Sequence, residues 1–211
     1  MGTESVLSQA RTTNGEMKLG IRPPRRIPAT FSAAGGLMSA GTLLLAAGGL
    51  TEARFAYVSA LALIPLAFVA VAIGLLEVIR DLRDRMRSAT RVAAAAASII
   101  GAVAALTMTL MALLMPPIDR VLWFVPYAML ASLSVALIVV GVAVRRAGLG
   151  GPRAGPYLIT GGLLLLFMPL IFVWMLLMWG VPVLAVFGGL AAIFFALGSA
   201  FRTGESHSEP G

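Results

Sequence analysis

Long apolar stretches alternate along this chain with short clusters of arginine. A lipid hydrocarbon core of about 30 Å is crossed by roughly 20 apolar residues in a helix. Six stretches meet that length: 31–50, 55–79, 92–114, 121–144, 157–179 and 181–201. The last two are nearly fused, because no charge occurs in the 48 residues from Ala154 to Phe201. That run would make about 72 Å of helix at 1.5 Å per residue, so it must turn back, and the expected turn is Trp179-Gly180-Val181-Pro182. The pattern predicts an all-α fold, a polytopic integral membrane bundle of six transmembrane helices over 31–201. A basic N-terminal tail, 1–30, precedes it and a short tail, 202–211, follows.

Composition agrees with lipid as the solvent. Hydrophobic residues make up 59% of the chain and charged ones 12%, against about 25% charged in soluble domains. The tail 1–30 is too long for the basic region of a signal peptide and the first apolar run lacks a cleavage site, so a retained cytoplasmic tail is expected. With no cysteine, disulfides, thiolate metal sites and iron–sulfur clusters are excluded. The one histidine, His207, sits in the polar C-terminal tail, away from any apolar run. No catalytic residue, metal ligand or cofactor site is identified. Met108, Met111 and Met115, with Met175 and Met178, read as adaptable packing residues rather than soft-metal ligands.

Charge supplies the orientation. Fourteen of the sixteen basic residues lie in the two tails and the second and fourth loops, and only Arg54 and Arg120 lie in the others. Cytoplasmic segments carry the excess of Lys and Arg, so both termini are expected in the cytoplasm of a cell-membrane protein. Trp123, Tyr127, Tyr57 and Trp179 fall at the opposite, outer interface and Tyr157 at the inner one, as aromatic belts do.

The densest charge cluster is 77–91, "EVIRDLRDRMRSATR". Asp81–Arg85, Arg80–Asp84 and Asp84–Arg87 have helical pair spacing, and Val78, Leu82 and Met86 form one stripe. The second helix is therefore expected to continue past the membrane. Arg80, Arg83, Arg85, Arg87, Arg91, Arg145 and Arg146 are assigned to the inner surface. There they set topology and meet anionic headgroups at about 1 kcal/mol each. Glu77, one turn from the inner end, reads as structural, able to pair with Arg80 or reach water. The isoelectric point of 11.2 reflects loop arginines, so no nucleic-acid partner is expected. "GLGGPRAGP", 148–156, lacks the Lys-Ser/Thr of a phosphate loop and reads as a flexible turn. "RPPRRIP", 22–28, reads as an extended basic lead-in.

The remaining signal is packing. Ala93, Ala97, Gly101, Ala105 and Thr109 place a small residue at every fourth position of the third helix, and Gly188, Ala192, Ala196 and Ala200 do so in the sixth. Small residues let helix backbones approach closely in lipid. The fifth helix is bulky and expected to face lipid. Pro65 and Pro169 kink the second and fifth helices at matching depth, which together with the two stripes suggests a weak 3+3 inverted repeat.

Two functions fit. One is an accessory, scaffolding or assembly subunit that acts through helix packing, with a membrane-protein partner or self-association. The alternative is a permease, channel or membrane substrate-binding subunit for a neutral or weakly polar small solute. Ser59, Ser98, Thr107, Thr109, Ser132 and Ser134 would then supply its hydrogen bonds. No enzyme is expected.

Overall fold

A computed structural model describes residues 26–51, 54–114, 124–175 and 181–206. All of the regular structure among them is helical: α1 (Arg26–Thr51), α2 (Arg54–Asp81), α3 (Ser88–Leu114), α4 (Phe124–Ala147), α5 (Gly151–Met175) and α6 (Val181–Ser206). Residues 1–25, 115–123 with Met115, Arg120 and Trp123, and 176–180 with Met178 and Trp179, where the turn was expected, lie outside the described residues, as does His207. Among the described residues, five helices have the length and hydropathy of a membrane span, over Arg26–Gly48, Val58–Asp81, Ser88–Leu114, Phe124–Ala147 and Leu184–Thr203. The chain is a multi-pass helical bundle of membrane-protein character.

Proline punctuates these boundaries. Pro28, Pro126, Pro152 and Pro182 each fall within the first three residues of a helix, where a missing N–H forfeits no helical bond. Pro28 also explains why α1 starts at Arg26, inside the segment expected to be tail. Ile27 and Pro28 are buried, so the first turn belongs to the core. At the other end of α4, Gly148 adopts φ 66° and the Leu149 N–H donates to the Val144 carbonyl at 3.2 Å. That bond and the left-handed glycine make a Schellman stop. The glycine-rich turn is thus a defined helix terminator, and Gly150 and Gly151 also take positive φ.

α2 stops earlier than its apolar stripe predicts. Its last residue is Asp81, and 82–86 form a turn in which Leu82 N donates to Val78 O at 2.9 Å and Met86 N to Leu82 O at 3.0 Å. Val78 and Leu82 are buried and Met86 packs against them. The stripe is real, but the chain must reverse into α3 within six residues. That reversal takes the charged side chains off helical spacing.

Each helix packs on its neighbours in sequence, α6 closes back on α1, and α2 touches α4 behind α3. The six helices thus form a ring in chain order, with the lesser α2–α4 contact crossing it behind α3. The fifth helix, expected to face lipid, does so with part of its surface, and its side chains beyond Met168 lie outside the described residues. Leu163, Leu166 and Phe167 of α5 are exposed, but Leu158, Leu165 and Met168 are buried. The most outward helix is α3, whose Ile99, Val103, Leu106, Leu110 and Leu113 are all exposed.

Small residues do mediate close approach, though at other positions than strict fourth-residue spacing selects. Four residues turn a helix by 400°, so such a stripe drifts about 40° per step at 3.6 residues per turn. On α3 the buried line is Ala94, Ser98, Gly101, Ala105 and Thr109. Gly101 and Ala105 lie on it, Ala97 is half-buried and Ala93 is exposed. On α6 the buried line is bulky: Phe187, Leu190, Phe194, Leu197 and Phe201. Ala200 is buried beside it and Ala196 half-buried, while Gly188 and Ala192 are exposed, and Gly188 has open space where a side chain would stand. Within this chain Gly188 and Ala192 are not packing positions.

Backbones approach closely at the α4–α5 interface. Ser134 and Gly141 are seven residues apart on α4, and Gly155 and Gly162 are seven apart on α5. A Cβ on Gly141 would lie 3.0 Å from Gly155 O, and one on Gly162 would lie 2.9 Å from Ser134 O. Moving seven residues along one helix moves seven back along the other, so the pair is antiparallel and in register. The Ser134 hydroxyl adds an interhelical hydrogen bond, donating to Gly162 O at 2.8 Å.

Pro65 is buried in mid-α2 and Pro169 lies within α5, its side chain outside the described residues. Contacts between consecutive helices follow the same order in the two halves, whereas the lesser α2–α4 contact has no α5–α1 counterpart among the described residues.

Candidate functional site

The bundle's two ends differ in charge. Antiparallel packing of α1 on α2 brings Gly74 against Thr30 and Phe31, and Gly41 against Ile64, so the start of α1 and the end of α2 share one side. The same alternation continues around the ring. Arg26, Arg80, Arg83, Arg85, Arg87, Arg91, Arg145, Arg146, Arg153 and Arg202 all mark helix ends on that side. Among the described residues only Arg54 marks the other. Tyr127, exposed, opens α4 at that far end; the Tyr57 side chain, like Trp123 and Trp179, lies outside the described residues.

The arginines are not all equivalent. Arg85 bends away from Asp81, its partner at helical spacing, and its Nη1 donates to the Ala147 carbonyl at 2.7 Å. A cation on the last carbonyl of α4 opposes the negative end of that helix's dipole and ties the α2–α3 turn to α4. Arg91 Nη1 donates to Arg83 O at 3.2 Å, closing the same turn on itself. Arg80, Arg87, Arg145 and Arg146 are exposed. On the acidic side, Glu77 Oε2 and Asp81 Oδ2 are buried with no hydrogen-bond partner among the described residues. They sit one turn apart at the arginine-rich end of α2.

Beneath Arg85 a groove of about 800 Å³ opens between the α2–α3 turn, the start of α3 and the last third of α4. Arg85, Arg87 and Arg146 form its polar floor, and Ile138, Val139 and Val142 part of its apolar wall. Sequence reading placed all three arginines on this surface. It did not bring Arg146 to the 85–87 turn, because only tertiary packing joins positions about 60 residues apart.

The hydroxyl groups offer less chemistry. The buried polar side chains among the described residues are Ser98, Thr109 and Ser134. Ser98 donates to Ala94 O at 2.9 Å, Thr109 to Ala105 O at 3.1 Å and toward Ala62 O at 3.5 Å, and Ser134 to Gly162 O. Thr107 and Ser132 likewise close on carbonyls of their own helices, as hydroxyls in membrane helices do. Ser59 is half-buried. These groups are dispersed and do not converge on one cavity. Among the described residues no cluster of three His, Asp or Glu side chains could hold a metal ion.

No family model, curated protein or solved structure matches this chain.

Proposed function

We propose that this chain is a six-span cell-membrane protein with both termini in the cytoplasm. It serves as an accessory, scaffolding or assembly subunit whose work is helix packing, and it carries no enzymatic chemistry. The observation that carries this reading is the interior of the ring. It is filled by Phe31, Phe68, Leu75, Leu133, Leu137 and Phe194, each at most 1% exposed, and its few hydroxyls are spent on backbone carbonyls. A core of that kind supplies shape and rigidity rather than a path for a polar solute. The outward apolar stripe of α3 supplies a face for lipid or for a partner's helix.

Counting α5 as the sixth span is supported by its antiparallel register with α4, which keeps it along the bundle axis. The orientation is supported by the arginine-rich end. A reporter fused after Arg120 is expected to be extracytoplasmic, and one fused after Gly151 cytoplasmic. The reverse pattern would refute the orientation.

The alternative is a permease or channel-like unit for a neutral or weakly polar solute. It draws on buried Pro65, beside which Thr109 reaches toward the Ala62 carbonyl. Native mass spectrometry in mild detergent separates the two. A scaffold is expected to leave the membrane with a partner, or a second copy, in fixed stoichiometry. A protein that elutes alone and moves solute into liposomes would sink the scaffold reading.

A further inference from the structure

We propose that the groove beside α4 holds one anionic phospholipid. Its phosphate lies among Arg85, Arg87 and Arg146, and an acyl chain runs along Ile138, Val139 and Val142. This rests on the reading that the arginine-rich end meets the cytoplasmic leaflet, and it deepens that reading from a diffuse charged surface to a single built site.

Four observations converge. The lining holds three guanidinium groups and no carboxylate, so the floor is of one sign. The Arg85 head is already positioned by its 2.7 Å bond to Ala147 O, which uses part of a five-donor group and leaves the rest to face an anion. Thr90, exposed in the first turn of α3, also lines the groove. Its helix points its positive end toward the floor, where anions are favoured. The negative end of α4 would oppose an anion, but Arg85 covers the Ala147 carbonyl there.

The decisive feature is the order of the lining along α4. Arg146 lies at the helix end, and Ile138 lies eight residues deeper, about 12 Å along the axis at 1.5 Å per residue. A soluble phosphate needs the floor and gains nothing from the wall. A detergent-like apolar ligand needs the wall and gains nothing from three arginines. A lipid with its headgroup at the surface and its chain toward the membrane interior uses both, in this order. Basic recesses between membrane helices on the cytoplasmic side hold anionic headgroups for this reason. A volume of about 800 Å³ suits a headgroup, glycerol and the first part of a chain, being within the roughly 300–1,000 Å³ of small-molecule sites.

The test uses the full-length chain, delipidated in detergent. Phosphatidylglycerol or phosphatidylcholine with identical acyl chains is titrated in, and retained lipid is read by native mass spectrometry. One phosphatidylglycerol per chain is expected, at least tenfold more tightly held than phosphatidylcholine. The Arg87→Gln/Arg146→Gln double variant is expected to lose at least tenfold in retention, with melting temperature in phosphatidylcholine unchanged. Arg83→Gln/Arg153→Gln, on the same surface but outside the groove, is expected to change retention less than twofold. Val142→Phe, which crowds the wall, is expected to weaken retention while every arginine stays. Equal losses from the two double variants would overturn the site in favour of a diffuse charge field. Glycerol phosphate or inorganic phosphate competing at millimolar concentration, with Val142→Phe without effect, would overturn the lipid as occupant. Lost selectivity with correct reporter orientation defeats the site alone, and a reversed reporter defeats the leaflet assignment beneath it, so the two failures are distinguishable.

Discussion

Gly162→Leu is expected to destabilise the purified protein by about 3 kcal/mol, at the upper end of what overpacking a filled interface costs. The neighbour that a side chain would meet is the Ser134 carbonyl oxygen at 2.9 Å, with Ile138 Cγ1 at 2.7 Å. A flexible side chain could swing aside, whereas a backbone carbonyl in mid-helix cannot. The helices must separate, and the 2.8 Å bond from Ser134 to Gly162 O breaks with them. For a chain of this size that is a fall of roughly 6–12 °C in melting temperature, readable by thermal denaturation in detergent. Gly188→Leu is the matched comparison, since nothing lies within 4 Å of where its Cβ would be. Its expected effect on the isolated chain is within about 0.5 kcal/mol. Comparable losses from both changes would mean that close backbone approach at Gly162 does not hold α5 on α4.

Phe201→Ala ranks second. The ring of Phe201 stacks on Phe31 with centroids 5.7 Å apart and planes 9° from parallel, so it fastens α6 to α1 and closes the ring of helices. It also covers Gly150, where any Cβ would meet its edge at 2.5 Å, which ties α6 to the α4–α5 turn. In a soluble core, removing a buried Phe costs about 3–5 kcal/mol, part of it transfer from water and part the cavity left behind. A helix that stays in lipid loses little of the first part, because lipid tails are as apolar as the core. The cavity and stacking parts remain, and about 2 kcal/mol is expected. The variant should unfold at lower denaturant concentration, and protease should cut first near the α4–α5 turn. Unchanged stability, with Phe201 fully buried, would contradict closure of the ring through this pair.

Much of this was legible in the chain because the solvent imposes it. With no water in the hydrocarbon core, backbone groups must bond within their own segment, so an apolar run of the right length is a helix whatever it packs against. Helix type, helix number and the gathering of Arg80, Arg85, Arg87, Arg145 and Arg146 at one end follow from local composition and alternation alone. Proline within the first three residues of four helices was a further local signal, and Pro28 in particular could have moved the start of α1 to Arg26.

What only tertiary structure decided is which face of each helix turns inward, and which distant segments share a site. Hydropathy carries little facial information when both the core and the lipid are apolar, so Gly188 and Gly101 look alike in sequence, yet one faces outward and the other lies against Leu133. Seven-residue pairs, Ser134 with Gly141 and Gly155 with Gly162, hold one face better than fourth-residue stripes because two turns of a helix take 7.2 residues. Even so, their register with each other depends on the turn at Gly148. The groove is the clearest case. Arg85 bonds a carbonyl 62 residues away, and no local rule of spacing or propensity places that carbonyl within its reach.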